Sequence, residues 1–283
     1  MGRSKFTYDL MMKFYKLFQL LDDMGLIKHK ESEADTSAHM IPVNEVIRGG
    51  KSVILPMEIL GPIIERADCI YIMTECLCRR GEGCRSYPVD IGCLFLGSAA
   101  RELGRGMGRE VSIREAVVHA ENAIGLGLFP LVLHNEFDAW LWGIDYKRML
   151  NVCFCCDCCC SVRRGVRVRQ SEGFFENIKR LPGLTVSVME GCTGCGACVD
   201  LCVAGAISIT GAITGEITGG RTEINEEYCK GCGNCVKVCP EGAVEMRLED
   251  GVDTVGDILE TYDKRTDVGG LSALSVKGER VKS

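Results

Sequence analysis

Nineteen of the 283 residues are cysteine, and they fall in three runs. The densest, NVCFCCDCCC, holds Cys153, Cys155, Cys156, Cys158, Cys159 and Cys160. An upstream run supplies Cys69, Cys76, Cys78, Cys84 and Cys93. A downstream run repeats one pattern, C-x2-C-x2-C-x3-C, first at Cys192, Cys195, Cys198 and Cys202 and again at Cys229, Cys232, Cys235 and Cys239. An odd number of thiols cannot all pair as disulfides. The N-terminal stretch carries Asp9, Asp22 and Asp23 and lacks a small-residue cleavage site, so it does not read as a signal peptide. A cytoplasmic location is expected, where thiols stay reduced and clustered thiolates bind metal.

The downstream repeat closely resembles the bacterial two-cluster ferredoxin over about 190–246. The resemblance implies two [4Fe–4S] clusters, each held by three cysteines of one copy and the fourth of the other. It assigns Cys192, Cys195, Cys198 and Cys239 to one cluster, and Cys229, Cys232, Cys235 and Cys202 to the second. The spacing suits the task. Three thiolates two residues apart wrap a cubane with one tight loop, and Gly194, Gly196, Gly231 and Gly233 let the backbone turn and approach the sulfides. The family usually has proline after the fourth cysteine. Pro240 fits and Val203 departs, which removes a φ restraint and no ligand. Zinc is the plainer use of C-x2-C pairs, but a triplet occurring twice suits closed tetrahedral zinc poorly.

The upstream cysteines carry a second resemblance, covering about 50–245. A family of iron–sulfur proteins from anaerobes joins C-x-C-R, C-x3-G, text similar to GREVSIREA and C-x-C-C-x-C-C-C ahead of a two-cluster ferredoxin. The matching parts here are Cys76–Arg79, Cys93–Gly97, Gly108–Ala116 and Cys153–Cys160. This implies metal binding and electron transfer, and no particular reaction. Cys69 reads as a small hydrophobe in a buried strand. The candidate ligands are therefore Cys76, Cys78, Cys84, Cys93, Cys153, Cys155, Cys156, Cys158, Cys159 and Cys160. Adjacent side chains project in different directions, so the dense run cannot all face one cubane. The expectation is that the loop at 76–93 meets the loop at 153–160. Three readings stay open: one or two further cubanes, a larger non-cubane cluster, or a zinc site with spare thiols. Arg79, Arg80, Arg85, Arg163, Arg164, Arg167 and Arg169 stand nearby. They would stabilise a reduced anionic cluster or dock an acidic partner.

The elements that must hold these loops read as an α+β protein: a cysteine-rich helical and loop domain, then a ferredoxin-like domain. The expected parts are an N-terminal helical segment at 1–50, with a winged-helix-like unit as one reading of it, a cluster-binding domain at 51–185, the two-cluster domain at 186–246 and a tail at 247–283. Residues 5–30 read as an amphipathic helix, with Leu10, Phe14, Leu17, Phe18 and Leu21 at helical spacing and Gly25 ending it. SIREAVVHAENAIGLGL reads as a helix with a Ser112–Glu115 capping box and an apolar stripe of Ala116, Val117, Ala120 and Ile124. Ile207 and Ile209 alternate as in a half-buried strand, with Ile224 and Val244 ending facing strands. The four histidines are isolated, and His134 is the one worth testing as a ligand.

A net charge of −6 argues against nucleic acid as partner for the whole chain. No apolar run is long enough for a membrane span. No G-x-G-x-x-G, Walker A, H-E-x-x-H or G-x-S-x-G motif is present. The function expected is electron transfer among iron–sulfur centres, as a subunit of an anaerobic oxidoreductase with redox proteins as partners. Two alternatives are carried: a catalytic subunit with a non-cubane cluster that reduces a disulfide, and a cluster-sensing DNA-binding regulator.

Overall fold

A computed structural model describes residues 2–24, 26, 37–42, 47–49, 53–54, 56–104, 106–162, 176–211 and 220–269. Arg163, Arg164, Arg167, Arg169, Gly25, His29 and the last residues of the tail lie outside the described residues.

The elements run in chain order. Helices α1 (Lys5–Lys13) and α2 (Tyr15–Asp23) precede β1 (Ser37–Met40), β2 (Ile47–Gly49) and β3 (Val53–Ile54). Then come α3 (Pro56–Arg66), β4 (Ile70–Met73), α4 (Leu77–Glu82), β5 (Leu94–Leu96), β6 (Gly108–Glu110) and α5 (Ile113–Gly125). They are followed by β7 (Phe129–His134), α6 (Glu136–Trp142), β8 (Leu150–Cys155), β9 (Ile178–Lys179) and β10 (Leu184–Val188). The last are β11 (Ile207–Thr210), β12 (Arg221–Ile224), α7 (Asn234–Val238), β13 (Val244–Leu248) and α8 (Thr254–Asp263).

Seven strands form one sheet in the order β6-β4-β5-β8-β7-β1-β9. Its pairings are antiparallel except β1 with β9. The pleat sends alternate residues to opposite faces. Leu94, Leu96, Leu150, Val152 and Phe154 pack with Ile59, Leu60, Ile63 and Ile64 of α3 and Ala116, Ala120 and Ala123 of α5. The other face carries Phe95, Phe129, Leu131, Cys153 and Cys155. β7, FPLVLH, is apolar up to His134 and buried throughout, as a central strand covered on both faces must be. Truncating Phe154, which is buried here, would cost about 3–5 kcal/mol.

A second sheet has the order β10-β13-β2-β3, and β11 pairs with β12 as a separate ribbon. Ile207 stands opposite Ile224 in that ribbon. β2 and β3 thus complete a sheet with two strands that flank the downstream repeat, while β1 lies inside the seven-stranded sheet.

Local signals act as the sequence implies at α5. Ser112 accepts from the Glu115 N–H, and the Glu115 carboxylate accepts from the Ser112 N–H at 3.0 Å. The N-terminal helix departs from expectation. It breaks at Phe14 into α1 and α2. Leu10, Phe14 and Leu17 of the expected apolar face are exposed. The buried contact is instead Tyr8, which stacks on Trp142 at 5.6 Å. Polar ties finish the docking of these helices on α4: Arg80 pairs with Asp9, and Lys16 with Glu82.

Candidate metal centres

The two copies of the downstream repeat adopt matching backbones. Gly194 and Gly231 have φ of 66° and 64°, Gly196 and Gly233 both have 80°, and Gly205 and Gly242 both have 59°. These left-handed values favour glycine. At Gly194 space is closed as well, because a Cβ would stand 2.1 Å from the Gly220 carbonyl oxygen. The fourth cysteines match too: the Ala206 N–H donates to Cys202 Sγ, and the Ala243 N–H to Cys239 Sγ, both at 3.2 Å. Backbone N–H groups aimed at sulfur stabilise a thiolate ligand.

The electrostatics group the thiols. Burial raises Cys198, with Cys195 and Cys192 adding to it. Burial also raises Cys235, and Cys232, Cys229 and Cys202 add to it in turn. Cys202 from the first copy therefore stands among the thiols of the second. Cys239 caps the C-terminus of α7. The hydroxyl and backbone of Thr222, a residue buried in β12, hold Cys192 below its ordinary range. Thr222 has no mark in the sequence: a threonine in a ribbon strand gains its thiol contacts only when that strand crosses the loop.

Residues 191–243 match the family model for a 4Fe-4S dicluster domain, and residues 221–268 match a second model of the same description. Residues 191–268 form a ferredoxin-like iron–sulfur domain. No curated protein and no solved structure matches the chain. The eight thiols fit the group: soft sulfur donors in two matched loops, with N–H groups directed at sulfur.

Upstream of the ferredoxin domain, the loop at 76–93 does meet the loop at 153–160, and the ten thiols divide into two sets. The pleat of β8 makes the division. Register pairs Leu94 with Val152, so one further antiparallel step sets Cys93 opposite Cys153. Cys155, opposite Phe129 of β7, shares that face. There Cys153 raises Cys93, while Cys78 and Cys93 are hydrogen-bonding neighbours of Cys76. Cys160 Sγ donates to Cys155 Sγ at 3.1 Å, and Cys160 with burial pushes the Cys155 thiol well up. Cys78 senses Cys160 also. Six thiols therefore gather into one set, the six-thiol chamber, with Cys76, Cys155 and Cys160 buried and Cys78, Cys93 and Cys153 half-buried. Tyr15 of α2 closes its edge, its hydroxyl 2.8 Å from Ser161 Oγ.

Cys84, Cys156, Cys158 and Cys159 form the other set, their Sγ atoms all within 4.8 Å of one another. Cys84 and Cys158 are 3.7 Å apart, and Cys158 and Cys159 3.5 Å. The Cys159 N–H donates to Cys156 Sγ at 3.2 Å. Burial would raise Cys84, but N–H groups of Tyr87 and Ser86 and the Cys159 and Cys158 thiols outweigh it and lower its pKa.

Arg79 lies between the sets and is wholly buried. Its guanidinium donates to the carbonyls of Pro88 and Phe154, each at 2.7 Å, and of Ile91. Burial opposes its charge, and Cys76, Cys93, Cys156 and Cys155 restore it. A buried cation whose hydrogen bonds go to neutral carbonyls needs anionic neighbours, and metal-loaded thiolates are such neighbours. Arg79 thus faces no partner protein. Arg80 is engaged by Glu75 and Asp9 and stands over the Tyr8 ring. Arg85 alone of the described arginines in this group is exposed.

The remaining candidates stand apart. Cys69 is buried and pushed up to about 11 by that burial. His134 is buried in β7, stacked on Tyr146 at 3.9 Å and hydrogen-bonded to the Tyr146 carbonyl. No helix among the described residues is long and apolar enough to cross a membrane.

Proposed function

We propose that this chain is an electron-transfer subunit of a larger oxidoreductase, relaying electrons between a protein partner and an iron–sulfur centre in the six-thiol chamber by way of two cubanes. Cys192, Cys195, Cys198 and Cys239 hold one cubane, and Cys229, Cys232, Cys235 and Cys202 the other. A [4Fe–4S] cluster supplies one-electron exchange when bound. The chain does the rest. It fixes the spacing of the thiols and sets the local charge through Arg79 and the N–H groups aimed at sulfur.

One observation carries this reading. Cys155 and Cys160 of the chamber pack in the same apolar cluster as Cys202, Cys229 and Cys232, with Phe129, Leu131, Ala204 and Ala206. The six-thiol chamber and the second ferredoxin loop are neighbours across an apolar contact, which supports an electron relay between them. The experiment is an iron and acid-labile sulfide count on anaerobically purified protein, with EPR after stepwise reduction. Two cubanes account for about eight irons per chain. An iron count clearly above eight, with a third reducible signal coupled to the ferredoxin signals, is expected. About eight irons and no third signal would remove the relay.

A further inference from the structure

Cys84, Cys156, Cys158 and Cys159 differ from every other thiol set in spacing. Among the described residues they are the only group of three or more potential ligands whose donor atoms all lie within 4.8 Å of one another. Taken as sets, the ferredoxin thiols and the six thiols of the chamber are spread more widely, although one chamber pair, Cys155 and Cys160, stands 3.1 Å apart. A cubane stands its thiolates on the outside of a four-iron core, so it holds them apart. A single tetrahedral ion draws them together. A metal–sulfur bond of about 2.3 Å gives a sulfur–sulfur edge of about 3.8 Å. The edges here are 3.7 Å for Cys84–Cys158 and 3.5 Å for Cys158–Cys159.

We infer that Cys84, Cys156, Cys158 and Cys159 form a mononuclear site for one thiophilic divalent ion, zinc being the expected occupant, separate from the iron–sulfur centres. Four cysteines make a closed set with no open coordination position, which is a structural site. Its position gives it a task. Cys84 follows Gly83, the left-handed C-cap of α4, while Cys156, Cys158 and Cys159 belong to the turn that leaves β8. One ion would cross-link that helix end to that turn. Cys155 and Cys160, the two chamber thiols 3.1 Å apart, flank the same turn. The site therefore acts as a pin that holds two chamber ligands in place. The ion's binding does not depend on the relay proposed above.

The test is metal analysis of the full chain, purified without oxygen from cells grown with ample zinc and iron. Wild type, C84S, C158S and C76S are compared for zinc, iron and sulfide. About one zinc per chain is expected in wild type and in C76S. C84S and C158S should lose that zinc while the ferredoxin EPR signals persist. C76S should instead lose iron with sulfide, which separates this proposal from the relay reading. X-ray absorption at the zinc edge of the wild-type protein gives a readout independent of whether a variant folds; four sulfur neighbours at about 2.3 Å are expected. One iron without sulfide in place of zinc would also support a mononuclear site. Loss of about four irons with sulfide in C158S, or no ion beyond the iron–sulfur centres in wild type, would overturn it.

Discussion

Cys155 Sγ and Cys160 Sγ lie 3.1 Å apart inside the protein, across a turn that also presents Cys156, Cys158 and Cys159 to a different site. Neighbours in sequence thus fall in different thiol sets, and near-identical substitutions should have different results. Cys155→Ser and Cys160→Ser are each expected to remove the iron in excess of about eight per chain, by the four-iron arithmetic of a cubane. The two ferredoxin EPR signals should remain. Equal loss of all signals would place Cys155 and Cys160 in a purely structural role.

Arg79 is a buried cation between the two thiol sets, bonded to three carbonyls. In the proposed relay, Arg79→Met removes charge that would stabilise the reduced chamber centre, so its potential should fall by roughly 60 mV, a tenfold change for one electron. The stranded carbonyls should also cost about 1–3 kcal/mol each. Arg79→Lys keeps the charge and loses the planar fork, so it should restore potential more than stability. Redox titration monitored by EPR, beside urea unfolding, separates the two effects.

Gly194 and Gly242 both have positive φ, at 66° and 59°, yet only the first is sterically closed. Gly194→Ala forces a Cβ onto the Gly220 carbonyl at 2.1 Å and should lose the cubane of the first loop, about four irons. Gly242→Ala meets nothing within 4 Å and should cost only the left-handed strain, about 1–2 kcal/mol, with both cubanes kept. Iron counts on the two variants check the contrast.

Acid should loosen the join between β1 and α8. His39 is buried, and its Nδ1 donates at 3.1 Å to the Tyr262 hydroxyl, which itself donates to the Val132 carbonyl. Burial, then Lys179 and Arg265, lowers His39 from 6.5 to about 4. Below pH 6.5 the unfolded chain binds a proton that the folded chain refuses. The stability is therefore full above pH 6.5 and is lost as pH falls toward 4, by about 2 kcal/mol at pH 5. Burial raises the Asp138 carboxyl to about 6, and it titrates in the same window with the opposite sign. The useful measurement is thus wild type minus His39→Gln, by urea unfolding at pH 7.5 and pH 5. A difference that does not change with pH would exclude a neutral buried His39.

The ferredoxin-like domain was legible because each of its cysteine loops is local. Spacing of two and three residues, with glycine between, is itself the loop geometry, and the matched φ values at Gly194 and Gly231 express it. The Ser112–Glu115 box was legible for the same reason: a helix cap is decided by residues within one turn. The face that α1 buries was not. Helical spacing marked Leu10, Phe14 and Leu17, but the partner surface around Trp142 selected Tyr8, and no local rule names a partner.

The upstream thiols divide along the same line. The sequence alone determined that ten cysteines are too many and too close for one cubane, because adjacent side chains diverge. Only the tertiary structure decided which belong together. The pleat of β8 turned Cys153 and Cys155 to one face, and the register with β5 set Cys93 beside them. The turn after β8 carried Cys156, Cys158 and Cys159 to Cys84 at the end of α4. The physical reason is that a strand fixes side-chain direction only once its partners fix its register, and those partners lie far away in the chain.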